Sequence, residues 1–179
     1  MKLQGEYISL RAIEPSDIDS LYQWENNTET WTVSSTQAPF SRFVLEQYIA
    51  SAHQDIYTAK QLRLMIDISI SSQEGIDNLT IGCIDLFDFD PNHQRAGIGV
   101  LIADTSDRQK GYASEALQIL TEYCFHTLNL HQLYCNITAD NEASIILFQK
   151  QGFQITGIKK QWVREGGKFK DELLLQKIR

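Results

Sequence analysis

The stretch Gln94 to Ala116, reading QRAGIGVLIADTSDRQKGYASEA, constrains this chain more than any other. An alternating apolar strand runs into a short polar loop, and a glycine-bearing turn then opens a long amphipathic helix over Ala113 to Leu128. Within the turn, Arg108, Gln109, Lys110, Gly111, Tyr112 and Ala113 spell R-x-x-G-x-A. A strand-to-helix turn of this kind aims several backbone N–H groups and the positive end of a helix at one spot, so the segment predicts a phosphate-binding turn. Gly111 lets main chain come close to a ligand, and Ala113 keeps the first helical turn unobstructed.

The rest of the chain arranges itself around that unit. Glu6 to Ile13 alternates apolar Ile8 and Leu10 with polar Ser9 and Arg11, as a half-buried strand does. Pro15 and Ser16 open a helix with Ser16 as cap, Asp17 and Asp19 at its positive end, and Ile18, Leu21 and Tyr22 as its buried stripe. Trp24 to Ser41 is aromatic and polar without a clear period and reads as a loop with room for one helical turn; Ser41 then caps a helix carrying Val44, Leu45, Tyr48 and Ile49. Leu62 to Ile70 alternates strictly, with Leu62, Leu64, Ile66, Ile68 and Ile70 on one side and Arg63, Met65, Asp67 and Ser69 on the other. A polar turn over Ser71 to Asn78 leads to the strand Leu79 to Phe89, and Asp90 to His93 turns that into Gln94 to Ala103.

After the long helix come a short strand, Leu133 to Thr138, and a helix capped by Asp140 or Asn141 that runs to about Lys150, with Gly152 at its C-cap. Gln154 to Val163 and Phe169 to Gln176 form a hairpin through Glu165-Gly166-Gly167-Lys168, whose glycine pair suits a tight turn. The order β-α-α-β-β-β-α-β-α-β-β, with no repeat or linker, predicts one α/β domain over 1–179, its middle an antiparallel meander.

Composition narrows the function. A net charge of −7, from 23 acidic and 16 basic residues, argues against a nucleic-acid partner, which needs a concentrated basic surface, and is compatible with a cationic substrate. No run approaches the ~20 apolar residues of a membrane span, and the N-terminus lacks a signal-peptide pattern, so the expectation is a cytoplasmic protein with no membrane partner. Cys83, Cys124 and Cys135 lie inside apolar segments and read as buried free thiols; no Cys or His spacing suits a metal, and none is expected.

Three stretches converge on one family. The strand–R-x-x-G-x-A–helix unit resembles the acetyl-CoA motif of the GCN5-related N-acetyltransferases (GNAT). The run from Asn141 to Phe153, NEASIILFQKQGF, is similar to the segment N-x-x-S/A-x-x-L-Y/F-x-x-x-G-F that follows in that family. Ile81 to Leu86 with Arg95 to Gly99 resembles the preceding hairpin of the RimJ/RimL and spermidine-acetyltransferase-like branch, which Ile8-Ser9-Leu10-Arg11 followed by Asp17 also fits. Together the similarity covers nearly the whole chain.

The resemblance implies a GNAT fold, a central mixed but mostly antiparallel twisted sheet of about seven strands with about four helices on its faces. It implies that Gln94 to Ala103 and Leu133 to Thr138 splay into a V-shaped slot. Acetyl-CoA, as co-substrate, would lay its pantetheine arm there against backbone at Leu101, Ile102 and Ala103. Its pyrophosphate would sit on the N–H groups of Gln109 to Ser114, screened by Arg108 and Lys110, with Asn141, Ser144 and Lys150 near the arm.

Acetyl transfer to an amine needs a base, because an alkyl ammonium has a pKa of ~10, a polarised thioester carbonyl, and a thiolate that leaves readily. Asp85 and Asp88, on the strand before the slot, are the candidate catalytic bases; three apart, they are expected on opposite faces. Trp24, Glu25, Glu29 and Trp31 are the candidate acceptor-binding residues, two carboxylates and two aromatic faces for a cation. Many relatives carry a tyrosine where this chain has Phe148, which cannot donate a proton; Tyr134 and Tyr112 are possible substitutes.

The sequence thus predicts direct transfer in a ternary complex to a primary amine, either a polyamine such as spermidine or a protein N-terminal α-amine. No cysteine stands at a recognisable nucleophile position. The competing expectation, kept alive by Phe148, is a catalytically silent acetyl-CoA-binding regulator. A homodimer or higher homo-oligomer is expected, through the final hairpin and Trp162.

Overall fold

Strict alternation of apolar residues builds strands here, and the strands assemble almost in the order they are made. The computed structural model describes residues 3–34, 36–72 and 75–179. Seven strands, β1 (Ile8–Ala12), β2 (Leu62–Ser72), β3 (Gly75–Asp90), β4 (Arg95–Ile102), β5 (Gln132–Thr138), β6 (Gln154–Glu165) and β7 (Lys168–Ile178), form one sheet in the order β1-β2-β3-β4-β5-β7-β6. Every neighbouring pair is antiparallel except β4 and β5, which run parallel. The sheet is therefore mixed and mostly antiparallel, as expected.

Four helices of two or more turns cover it: α1 (Ile18–Glu25), α3 (Arg42–Ser51), α5 (Tyr112–His126) and α6 (Glu142–Lys150). Two single-turn helices, α2 (Trp31–Ser34) and α4 (Ile56–Ala59), fall in stretches too short to show a period. On one face, α5 and α6 bury Leu117, Leu120, Phe148 and Phe153 against Leu64, Ile84, Leu86, Ile98, Leu133 and Leu175. A smaller cluster around Leu21, Leu45 and Ile49 joins α1 to α3. Among the described residues, no helix is long and apolar enough to cross a membrane.

Three local features depart from the expected pattern. β2 and β3 pair on to Ser72 and Gly75, well into the polar stretch read as a turn over 71–78, because main-chain pairing does not need an apolar face; residues 73–74 lie outside the described residues. The register of β2 and β3 shifts between Ile66 and Asp67, leaving Ile81 as the extra residue beside Gly82. A Cβ at Gly82 would stand 2.0 Å from the Leu101 carbonyl oxygen, so only glycine lets β3 and β4 approach there. The hairpin between β6 and β7, in contrast, turns as read, with Gly166 and Gly167 at φ 55° and 81°.

The first strand is tied down by charge. Asp17 lies in the first turn as expected, accepting from the Glu14 N–H, and it does more: it is buried, with Asp67, and both accept from Arg11, at 2.7 Å each. Thr80 donates its hydroxyl to Asp67 and accepts from Arg11, so one guanidinium joins β1, β2, β3 and the turn before α1. Burial pushes the Asp17 carboxyl up, but hydrogen bonds from Arg11 and from the Glu14 N–H outweigh it and hold it below its ordinary value. A carboxyl depressed in the folded state stabilises above its unfolded pKa, ~3.9, and that stability is lost as pH falls through the lower folded value. Arg11→Met leaves two buried carboxylates unpaired and should cost about 3 kcal/mol at neutral pH, measured by urea denaturation, with the cost shrinking as the solution is acidified below pH ~4.

Candidate active site

The sheet is continuous at only one end of its central seam. β4 and β5 pair at Arg95 with Gln132, Ala96 with Leu133 and Gly97 with Tyr134, and no further. Beyond that point β4 stays with β3 as far as Ile102 and β5 stays with β7 as far as Thr138. The two strands therefore diverge and leave a wedge of unpaired main chain inside the sheet.

Strand alternation decides which groups face the wedge. The Ala103 N–H donates to the Ile81 carbonyl of β3 at 3.0 Å, and at the seam the Gln94 carbonyl accepts from Gln132 of β5. Odd-numbered residues of β4 thus spend their main chain on β3, while Val100 and Ile102 turn theirs to the wedge. The expectation that Leu101, Ile102 and Ala103 all offer backbone to a ligand narrows to Ile102, joined by Val100. The Ile102 carbonyl already accepts from Nε of Arg108 at 3.2 Å.

The turn beyond β4 is shaped for an anion. Gln109 and Gly111 have φ of 63° and 92°, two left-handed residues separated by one, a sequence that gathers successive N–H groups into a concavity. Gly111 is the N-cap of α5 and no side chain caps that helix, so the N–H groups of its first turn keep their donor capacity. A Cβ on Gly111 would meet nothing within 4 Å, so the space over the turn is open. Tyr112 and Ala113 pack partly into the core beneath it.

The charges of the motif are engaged locally. Arg108 folds back onto the end of β4, and Lys110 pairs with Asp107 at 2.9 Å. Ser114 Oγ accepts from Gln151 at 2.6 Å, locking α5 to the end of α6. Asn141 caps α6 by accepting from the Ser144 N–H at 3.2 Å, and Lys150 is exposed at the far end of that helix. Uncapped helix N–H groups, an open left-handed glycine and a wedge of free main chain fit a phosphate-bearing molecule with a long amide-containing arm, which describes acetyl-CoA.

The opposite face carries the carboxylates. Asp85 stands directly across from Arg63 on β2, and Arg63 donates Nε and Nη2 to its two oxygens at 2.7 and 2.8 Å. Arg63 also pairs with Glu25 from the end of α1 and lies over the ring of Tyr48, 5.6 Å from its centroid. Both oxygens of Asp85 are thereby occupied. Neither Arg63 nor Tyr48 stands out in the sequence, because Arg63 meets its aspartate only through the register of β2 on β3.

The prediction that Asp85 and Asp88 face opposite ways is overturned. Asp88 takes a left-handed backbone, φ 49°, inside a bulge between Phe87 and Asp90, and the bulge resets the alternation. Phe89 joins the core face instead, while Asp88 accepts from the Tyr134 hydroxyl at 3.0 Å. Tyr134 in turn meets Phe87, two residues from Asp85, edge to face at 6.2 Å. Both aspartates thus lie on the side of the sheet that α1 reaches.

The other candidates separate. Trp24 packs partly into the cluster beneath α1 and α3. Trp31 donates its indole N–H to the Glu25 carbonyl at 2.8 Å and so fixes the loop that carries Glu25. Glu29 is exposed on that loop. Phe148 is buried against Phe153, with centroids 5.1 Å apart, and is a core residue. Cys83, Cys124 and Cys135 are all buried, and burial pushes each thiol up to about 12, far from the thiolate a nucleophile needs. Among the described residues, no group of His, Cys, Asp and Glu is placed to hold a metal.

Comparison with known proteins bears on this arrangement. Residues 8–154 match the family described as acetyltransferase (GNAT) domain. A spermidine N(1)-acetyltransferase of Escherichia coli strain K12 is 25% identical over 150 residues, covering 84% of this chain and 74% of that protein. A Bacillus licheniformis protein named uncharacterized N-acetyltransferase p20 is 28% identical over 177 residues, covering 94% of this chain and 91% of its own. In fold, the chain superimposes with a TM-score of 0.83 on the crystal structure of Vibrio cholerae spermidine N-acetyltransferase in complex with CoA and spermine, at 21% identity and with 97% of this chain and 96% of that one covered.

A substitution at the turn tests the anion site directly. Gly111→Arg places its side chain in open space, so its folded-state cost is the left-handed backbone strain, about 1–2 kcal/mol. It should keep the wild-type circular dichroism spectrum and lose at least tenfold in acetyl-CoA affinity by calorimetry; unchanged affinity would remove the turn from the binding site.

Proposed function

The chain belongs to the acetyltransferase (GNAT) family and is an acetyl-CoA-dependent N-acetyltransferase, and from that premise we propose that it acetylates a polyamine such as spermidine by direct transfer in a ternary complex. The observation that carries this reading is the convergence of Glu25 and Asp85 on one guanidinium beside the wedge. Two carboxylates against one Arg63 leave an excess negative charge, with Asp88 adding another nearby on the same side of the sheet. A long polycation can set one ammonium against that charge while a neutral amine reaches the wedge. The names of the Escherichia coli and Vibrio cholerae relatives support the same acceptor class.

Each part of the chain has a role in this proposal. The N–H groups of Gln109 to Ser114 hold the pyrophosphate, and Arg108 and Lys110 screen it after leaving their present partners. The main chain of Val100 and Ile102 pairs with the arm, beside Leu101 and Ala103, and one N–H of that pair polarises the reacting carbonyl. Asn141, Ser144 and Lys150 flank the arm from α6. Glu25 and Asp85 hold the acceptor with Trp31 and Glu29 at the rim, and Trp24 supports α1 beneath them. Bound acetyl-CoA supplies an activated acetyl group as a thioester.

Direct transfer is supported by the three thiols, which are buried and pushed up to about 12, so no cysteine is placed to carry the acetyl group. Free thiols also fit a reducing compartment, the cytoplasm. We infer a homodimer through β6 and β7, whose outer surface exposes Ile158, Trp162 and Phe169.

The test is thiol release from acetyl-CoA against spermidine, spermine, peptides with free α-amines and an aminoglycoside. Spermidine or spermine should turn over selectively, and Glu25→Gln should raise KM for the polyamine about tenfold, the loss expected from one charge-assisted contact. Selective turnover of peptide α-amines would overturn the polyamine reading, and acetyl-CoA binding without turnover of any amine would favour a regulatory binder.

A further inference from the structure

β4 carries Gly97 and Gly99 on the face opposite α5, and their missing side chains make a floor on which residues of β3 and β5 meet although β4 separates them. A Cβ at Gly97 would lie 2.2 Å from the Phe87 ring, so that ring occupies the glycine's place. Tyr134 comes from the other side, at the last paired position of the seam, where the wedge begins. Its half-buried hydroxyl crosses the floor to Asp88, which reaches it only because the bulge turns Asp88 to this face. Neither residue belongs to the apolar core, and their bond, besides tying β5 to β3, sets a phenol against a carboxylate at the closed end of the wedge.

We propose that Asp88 and Tyr134 form a proton relay that carries one proton from the acceptor amine to the departing thiolate. The proposal rests on the N-acetyl-transfer reading and adds the pair that moves the proton. As the amine nitrogen bonds to the acetyl carbon and the carbon–sulfur bond breaks, Asp88 takes the proton that the nitrogen gives up. Tyr134 gives its hydroxyl proton to the sulfur, and the proton on Asp88 passes across the 3.0 Å bond to the phenolate oxygen. One proton moves from nitrogen to sulfur, the dyad returns to its starting state, and no outside donor is needed. The relay takes the place of a tyrosine on α6, where Phe148 is locked in the core.

The surroundings keep the phenol protonated at neutral pH. Burial first, then the hydrogen bond and charge of Asp88, push Tyr134 up to about 12, while Arg95 on β4 pulls the other way. The paired Asp85, Arg63 and Glu25 lie beyond Phe87 on the same face.

Two conservative variants test the relay. Tyr134→Phe keeps the ring on Phe87 and removes only the hydroxyl; Asp88→Asn keeps a residue that accepts a left-handed backbone. Tyr134→Phe should lower kcat about 100-fold, as loss of a general acid does, with acetyl-CoA affinity unchanged by calorimetry. Asp88→Asn should lower kcat similarly and, with no acetyl-CoA present, bring the Tyr134 titration, followed by NMR of ring-labelled tyrosine, to lower pH. A Tyr134→Phe enzyme within threefold of wild type, or a phenol that titrates unmoved in Asp88→Asn, overturns the relay. Wild-type protein inactive on every polyamine but active on another amine overturns the acceptor reading alone, and the same variants are then decided on that amine.

Discussion

A β-sheet satisfies its main-chain donors and acceptors by pairing, and this sheet stops doing so in its middle. β4 and β5 meet over three residues and part, so Val100 and Ile102 turn hydrogen-bonding groups into a wedge instead of towards a neighbouring strand. An interior edge of this kind persists only if something compensates for it. Part of the compensation is Arg108, whose guanidinium returns to the Ile102 carbonyl; the remainder is what a ligand with alternating amide donors and acceptors provides. The affinity of the fold for such an arm follows from backbone that the fold itself leaves unpaired.

The two faces of the sheet then divide the work. On one, α5 presents uncapped N–H groups over an open glycine, beside a large apolar core. On the other, the acids come from α1 and β3, and two of them are drawn to a single arginine on β2. Because the wedge pierces the sheet, a molecule held on the first face and one held on the second can touch without either crossing the core. The loop carrying Glu25 is held by the Trp31 indole, so the place of that carboxylate depends on an aromatic residue of its own loop.

Much of this could be read from residue order. The alternation of Leu62 to Ile70, the caps at Ser41 and Asn141 and the glycine hairpin turn are local facts, and local chemistry specifies them. The misses have a common cause. Asp88 shares a face with Asp85, against the alternation, because a bulge is set by the neighbouring strand, and an aspartate at φ 49° leaves no mark in its own spacing. Arg63 with Asp85 and Arg11 with Asp67 are pairs made across strands, so their partners appear only with the register. The helix α4 is a single turn, for which periodicity has nothing to measure, though Asp55 caps it by accepting from the Tyr57 and Thr58 N–H groups.

The short seam between β4 and β5 also divides the molecule for folding. The strand order β1-β2-β3-β4 on one side and β5-β7-β6 on the other keeps each half of the sheet contiguous in the chain, with α5 packing on β1, β3 and β4 of the first half. The three residue pairs of the seam, the Tyr134–Asp88 and Gln151–Ser114 hydrogen bonds and the shared apolar core join them. Two cooperative units of this kind can each acquire structure from nearby sequence, the first while the second is still being synthesised. The wedge has one wall in each unit, β4 in the first and β5 in the second, and comes into being only when they dock.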